Sequence, residues 1–219
     1  MQPPPGRRDP WPVAGLAAAF AFAVLAGLVV RNGALPFDDP VAASVRGLGI
    51  PTGAWSAITL LGGAVLVPVG IALGLGALLT GRLRLVLIVA VVLIGASVFT
   101  HVMKDAVARP RPPGPHLAPA TGFSFPSGHS LNSVTTYGLL AVLVWRSRAT
   151  RPLRWAAVVA ALVLPFGIGL SRIALGVHYP SDVLGGWLAG IAFVAAGAVL
   201  VTLVGAMARR PPRPTVGAP

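Results

Sequence analysis

The sequence contains no cysteine, no glutamate and a single lysine, and only 10% of its 219 residues are charged. Without thiols there is no disulfide framework and no thiolate metal site, so the redox compartment leaves no mark on the chain. Soluble domains carry about 25% charged residues, so this scarcity, beside 55% hydrophobic residues, excludes an ordinary soluble fold. Negative charge is scarcer still, with five aspartates facing seventeen Arg and Lys for a net charge of +12. In a soluble chain that balance would point to nucleic acid. Here the cations fall in short clusters between long apolar runs, which is how topology signals are arranged in a membrane protein, so no nucleic-acid partner is expected.

A hydrocarbon core about 30 Å thick takes ~20 apolar residues per helix. Six runs of that kind are present, at roughly 12–30, 56–80, 84–104, 128–145, 154–171 and 183–206. The first follows Arg7 and Arg8, but the 18 uncharged residues from Val13 to Val30 exceed the roughly 7–15-residue core of a signal peptide, so an uncleaved anchor is expected. The expected fold class is all-α, a polytopic bundle of six transmembrane helices. One membrane domain, 12–208, would lie between cytoplasmic tails 1–11 and 209–219, the latter Pro- and Arg-rich and read as disordered. Gly70 with Gly74, and Gly186 with Gly190, have the spacing that lets helices approach closely. Both pairs read as packing within one chain, and no oligomeric state follows from them.

Starting the first span from the inside puts eleven of the seventeen cations in the cytoplasm, as the positive-inside rule requires, with both termini there. Arg31 and Arg46 remain outside, sharing a loop with Asp38 and Asp39. So do Lys104, Arg109, Arg111 and Arg172, clustered at the outer ends of spans three and five without enough acidic partners. Taken singly, Lys104 would be a lysine snorkelling from a helix end, and Arg109 and Arg111 solvated loop charges. Their company argues otherwise. Six prolines in the segment from Asp105 through Pro126 keep it extended.

Two further stretches share this face. In FSFPSGHS, 123–130, Pro126 stops any preceding helix, Ser127 is a good N-cap and Gly128 removes the side chain from the first turn. The resulting helix N-terminus offers unpaired N–H groups to an anion, with His129 in reach of the same spot. In SRIALGVHYPSD, 171–182, Pro180 prevents a regular helix through His178, while Ser181 and Asp182 open the sixth span. Asp182 can fold back to the imidazole Nδ1, fixing the tautomer and leaving Nε2 as a base or nucleophile. Alone, Asp182 would only cap the helix, and His129 would be a packed or capping histidine. Together, three cations, two imidazoles and one carboxylate gather where a doubly negative ligand would turn mutual repulsion into attraction, and phosphate is the natural candidate.

These residues carry a resemblance. The order K-x6-R-P (Lys104, Arg111, Pro112), P-S-G-H (126–129) and S-R-x5-H-x3-D (Ser171, Arg172, His178, Asp182) resembles the type 2 phosphatidic acid phosphatase superfamily, which also includes vanadium-dependent haloperoxidases. The resemblance implies that His178 attacks phosphorus to form a phosphohistidine, that Asp182 orients it, and that His129 protonates the leaving oxygen and later activates water. It implies that Lys104, Arg111, Arg172, Ser127 and the N–H of Gly128 hold the phosphoryl oxygens. Arg109 matches no functional position.

No cofactor and no metal are expected, since three fixed cations occupy the place magnesium takes elsewhere. The expected function is hydrolysis of a lipid-linked phosphate or diphosphate at the extracytoplasmic face: phosphatidic acid, phosphatidylglycerol phosphate, or a polyprenyl phosphate or diphosphate. Two rivals stand beside it. His129, His178 and Asp182 as zinc ligands would set three cations against a divalent ion. A non-enzymatic lipid or anion transporter would use the same basic cluster.

Overall fold

The computed structural model describes residues 9–207; the expected tail 209–219, together with Arg7 and Arg8, lies outside the described residues. Among these residues the chain is all-helical: α1 (Trp11–Asn32), α2 (Asp38–Arg46), α3 (Thr52–Leu60), α4 (Leu66–Leu79), α5 (Leu83–Val107), α6 (Gly128–Arg146), α7 (Arg151–Ala174) and α8 (Pro180–Met207). Helices α1, α5, α7 and α8 are each long and apolar enough to cross a bilayer, which makes this a multi-pass membrane protein. Helix α5 shows how composition sets orientation. Leu87, Val91, Ile94, Val98 and Val102 recur every three or four residues and project outward, while Ile88, Val89, Val92, Ala96 and Thr100 face the bundle. An outer stripe of that kind has lipid as its only reasonable neighbour.

The second expected span, 56–80, is not one helix. It breaks into α3 and α4 across Leu61–Val65. Gly62 lies against Ile168 of α7, and Gly63 lies against His129, where an added β-carbon would stand 2.9 Å from Nε2. Two glycines therefore let the backbone enter the bundle where a continuous helix would present side chains. The break frees the carbonyl of Leu61, and the Tyr137 hydroxyl donates to it at 2.8 Å. In a bilayer an irregular backbone survives only with such internal partners.

Helix α6 is central, packing against α4, α5, α7 and α8. It is not among the four helices that are both long and apolar enough to cross a bilayer, because it carries Ser130, Ser133, Thr135, Thr136 and Tyr137, all of them buried. Several hydroxyls return to their own helix, Ser133 Oγ to the Ser130 carbonyl at 3.1 Å and Thr135 Oγ1 to that of Leu131 at 2.9 Å. Gly190 of α8 sits so close to α6 that a β-carbon there would be 2.9 Å from the Leu131 carbonyl oxygen, so this glycine pair packs within the chain. Gly74, by contrast, has nothing within 4 Å of its β-position. The segment 31–55, read as a short loop, carries α2, which packs on α7 and α8 and buries its first residue, Asp38, completely.

Candidate anion site

Ala108 ends α5 in the left-handed region (φ 48°), with its N–H on the Lys104 carbonyl, and turns the chain into the proline-rich segment. Lys104 therefore occupies the last turn of α5. Past the turn, carbonyls grip the Arg111 guanidinium: Nε donates to Gly122 at 3.0 Å, Nη2 to Thr121 at 2.7 Å and Nη1 to Val177 at 2.8 Å. The same Nη1 lies 3.4 Å from His178 Nε2. Proline removes N–H donors from this segment and fixes its path, while the unbonded carbonyls remain to orient the cation.

Ser127 caps α6, its hydroxyl accepting from the Ser130 hydroxyl at 3.0 Å and from the Ser130 N–H at 3.5 Å. Its own N–H is taken by the Asp182 carbonyl at 3.0 Å, and the residue is fully buried. Gly128 and His129 follow with N–H groups that no helical carbonyl can reach. A β-carbon at Gly128 would stand 3.2 Å from Thr100 Cγ2, one turn from Lys104, so glycine brings the start of α6 to the end of α5.

His178 lies in the turn between α7 and α8 and is 4% exposed. Its Nδ1 is 3.3 Å from Asp182 Oδ2, which also accepts the Tyr179 N–H at 2.9 Å. Burial pushes the imidazole down to about 4 against the opposing pull of Asp182, so it is neutral at neutral pH. With Nδ1–H donating to the Asp182 carboxylate, the Nε2 lone pair faces Arg111.

Arg172 is 4% exposed; it donates to Thr59 Oγ1 at 2.9 Å, and its Nε has no partner. Among the described residues, Lys104, Arg111 and Arg172 form no ion pair; those present join Arg109 to Asp38, Arg109 to Asp182 and His178 to Asp182. Lys104 and His129 both lie within the field of Arg111 and Arg172. Clustered, half-buried cations without carboxylates are costly, and an anion among them removes that cost.

Lys104, Gly128 and His129 line one end of a cleft of about 740 Å³ between α4, α5 and α6. Its wall continues through Leu93, Val89 and Val86 of α5, with Gly70 and Gly74 opposite. From Lys104 to Val86 is about 27 Å at ~1.5 Å per helical residue, close to the full hydrocarbon thickness. For the zinc alternative, no group of three or more His, Cys, Asp or Glu is placed to hold an ion among the described residues.

Sequence reasoning left Arg109 as a possible solvated charge; it is instead 4% exposed and bonded to two carboxylates. Gly63, against His129, was passed over as well. The signals were present: a Gly-Gly pair inside an apolar run, and one of only five aspartates at position 38.

The geometry brings a candidate anion site together from the ends of four helices, α5, α6, α7 and α8. Residues 85–206 match the PAP2 superfamily, more than half of the chain, and the protein belongs to that family. It is 34% identical over 92 residues to phosphatidylglycerophosphatase B of Bacillus subtilis (strain 168), a match covering 41% of this chain and 45% of that one. It is 33% identical over 117 residues to an undecaprenyl-diphosphatase of Sulfolobus acidocaldarius, covering 51% and 52%. The chain thus spans about half the length of these curated relatives. Among solved structures it resembles a transmembrane PAP2 type phosphatidylglycerolphosphate phosphatase from Bacillus subtilis, with a TM-score of 0.72 and 25% identity over 91% of this chain and 98% of that one.

Proposed function

We propose that this protein is an integral membrane phosphatase that hydrolyses a lipid-borne phosphate or diphosphate through a phosphohistidine. One observation carries the reading: a neutral imidazole, His178, is held by Asp182 on Nδ1 and faces, on Nε2, a cluster of cations without carboxylate partners. In the first step Nε2 bonds to phosphorus while the phosphorus–oxygen bond to the lipid breaks, and His129 gives its proton to the departing oxygen. In the second, His129 takes a proton from water, whose oxygen bonds to phosphorus as the nitrogen–phosphorus bond breaks. Phosphate leaves and His178 is neutral again. Lys104, Arg111 and Arg172, with the Gly128 N–H and the Ser127 hydroxyl, hold the charge spread over the equatorial oxygens, the main requirement of phosphoryl transfer.

The cleft supports a lipid as the leaving group, because His129 lines one end of it and the wall beyond is mostly apolar over a membrane's depth. That same apolar wall offers no path for a charge, which disfavours a transporter. Relatives named for phosphatidylglycerol phosphate and undecaprenyl diphosphate support the same class. Topologically, α1, the α3–α4 pair, α5, α6, α7 and α8 form six spans within one domain, 12–208, both ends cytoplasmic and the site extracytoplasmic. Release of inorganic phosphate from phosphatidic acid, phosphatidylglycerol phosphate and a polyprenyl diphosphate, in detergent with EDTA, tests the reading. Turnover lost by about four orders of magnitude or more in His178→Ala is expected. Turnover retained in that variant, or abolished by EDTA and restored only by a divalent ion, would overturn it.

A further inference from the structure

Arg109 and Asp38 take no part in the chemistry above, yet both are buried against it. Arg109 Nη1 donates to Asp182 Oδ1 and, at 2.8 Å, to the Ser181 hydroxyl, while Nη2 donates to Asp38 Oδ2 at 2.8 Å. The guanidinium lies over the Tyr179 ring, 3.9 Å from its centroid. Asp38 accepts the Ser181 N–H on Oδ1 at 2.8 Å and, on Oδ2, the Ser181 hydroxyl at 2.8 Å and the Leu35 N–H at 2.9 Å. One carboxylate from α2 thus ties down both the start of α8 and the arginine of the intervening segment.

Two consequences reach His178. Asp182 has two oxygens, one on the imidazole and one on Arg109, so the carboxylate cannot turn without losing a charged partner. Arg109 alone would neutralise Asp182, but Asp38 restores one net negative charge to the trio, and that charge favours the imidazole as phosphorus draws on its Nε2 lone pair. We infer that Arg109 and Asp38 are positioning residues for His178, Arg109 by locking Asp182 in its orientation and Asp38 by holding Arg109 and keeping the field on the imidazole negative. The inference rests on reading His178 as the nucleophile. Asp38 precedes the family-matched residues 85–206, so a helix outside that segment completes a device inside it.

A pH profile separates this role from a scaffolding one. Around His178 stand Asp182 from α8, Arg111 from the proline-rich segment, Arg172 from α7, His129 from α6, and Asp39 and Arg46 from α2. Asp38→Asn leaves all of these in place and keeps the shape of the side chain; it removes the charge and, with the amide oxygen in the Oδ2 position, the one acceptor that takes the Ser181 N–H. In the full-length protein in detergent, with phosphatidic acid as substrate, Asp38→Asn is expected to lower kcat roughly tenfold with KM within about twofold, and Arg109→Met roughly a hundredfold. Asp38→Asn is further expected to move the acid limb of kcat to lower pH, because less negative charge holds the imidazole proton. Arg109→Lys should recover part of the loss, and the double variant should be no worse than Arg109→Met alone, since both act through one carboxylate. Thermal unfolding gives the folded fraction of each variant. Unchanged kcat and acid limb in Asp38→Asn, a deficit that vanishes per folded molecule, or additive losses in the double variant would overturn the inference while the wild type remained a phosphatase. A wild type that releases no phosphate from any lipid would overturn the proposed function, and this inference with it.

Discussion

The two nitrogens of His178 face opposite electrostatic worlds. On the Nε2 side, Arg111, Arg172 and Lys104 form no ion pair among the described residues; on the Nδ1 side, Arg109 holds two carboxylates at once. Arg109 and Arg111 stand two residues apart in one proline-rich segment, yet one is neutralised by carboxylates and the other is held by backbone carbonyls alone, its charge uncompensated among the described residues. Whether a buried cation is compensated, more than how deep it lies, is what separates framework from binding group here.

Substitution of Asp182, on the compensated side, should cost most. Asp182→Asn keeps the shape but lets the imidazole take the wrong tautomer, and a loss of about 10⁴ in kcat is expected by analogy with other carboxylate–histidine pairs. It also strips a charged partner from buried Arg109, so unfolding should move to lower temperature. Arg172→Gln should behave differently on the second count. Removing one donor to a developing charge is expected to lower kcat/KM by about 10²–10³. Removing a buried cation that has no carboxylate should leave thermal stability unchanged or raised. If Arg172→Gln destabilised as much as Asp182→Asn, the contrast between the two sides would fail. Inorganic phosphate sharpens it further, raising the unfolding temperature of the wild type and much less that of Arg172→Gln.

The pH dependence follows from the same contrast. The proposed attack needs neutral His178, whose burial holds it at about 4, below the ordinary 6.5. Protonation sets in only as pH falls toward that lower value, so the acid limb of kcat/KM attributable to His178 should lie below about pH 5. In the proposed mechanism His129 protonates the leaving oxygen in its charged form, which the bound phosphate favours by offsetting Arg111 and Arg172, so an alkaline limb of kcat and a bell overall are expected. A His178 acid limb near 6.5, tracked by the imidazole signals in an NMR titration, would mean that the Nδ1 side fails to shield the ring from water.

Much of the candidate site was legible because its residues crowd into 104–182 and each stretch carries its own local signal: proline punctuation, a cap followed by glycine, a histidine four residues before an aspartate. The all-helical class followed from hydropathy alone. Asp38 was not legible, because its partners are 71 and 143 residues away and its own loop offers Arg31 and Arg46 as apparent neighbours. Nor was the break in the second run. Hydropathy reports how much water a segment avoids, and a helix interrupted over five residues inside a bundle avoids as much as a straight one.

That break supports the smallest prediction. The Leu61 carbonyl, released where α3 ends, has the Tyr137 hydroxyl at 2.8 Å, and Tyr137 sits on the α6 helix two turns below His129. Tyr137→Phe removes one donor and leaves a part-buried acceptor without its partner, at about 1 kcal/mol. Nothing in the bond touches the cations, so kcat should stay within about twofold. Gly63 links the break to the chemistry, however, because it is the residue pressed against His129 Nε2. If Tyr137→Phe lowered kcat tenfold with unfolding barely moved, the turn would belong with the side of the site that handles the leaving group, and the boundary between framework and binding group would have to be redrawn through α3 and α4.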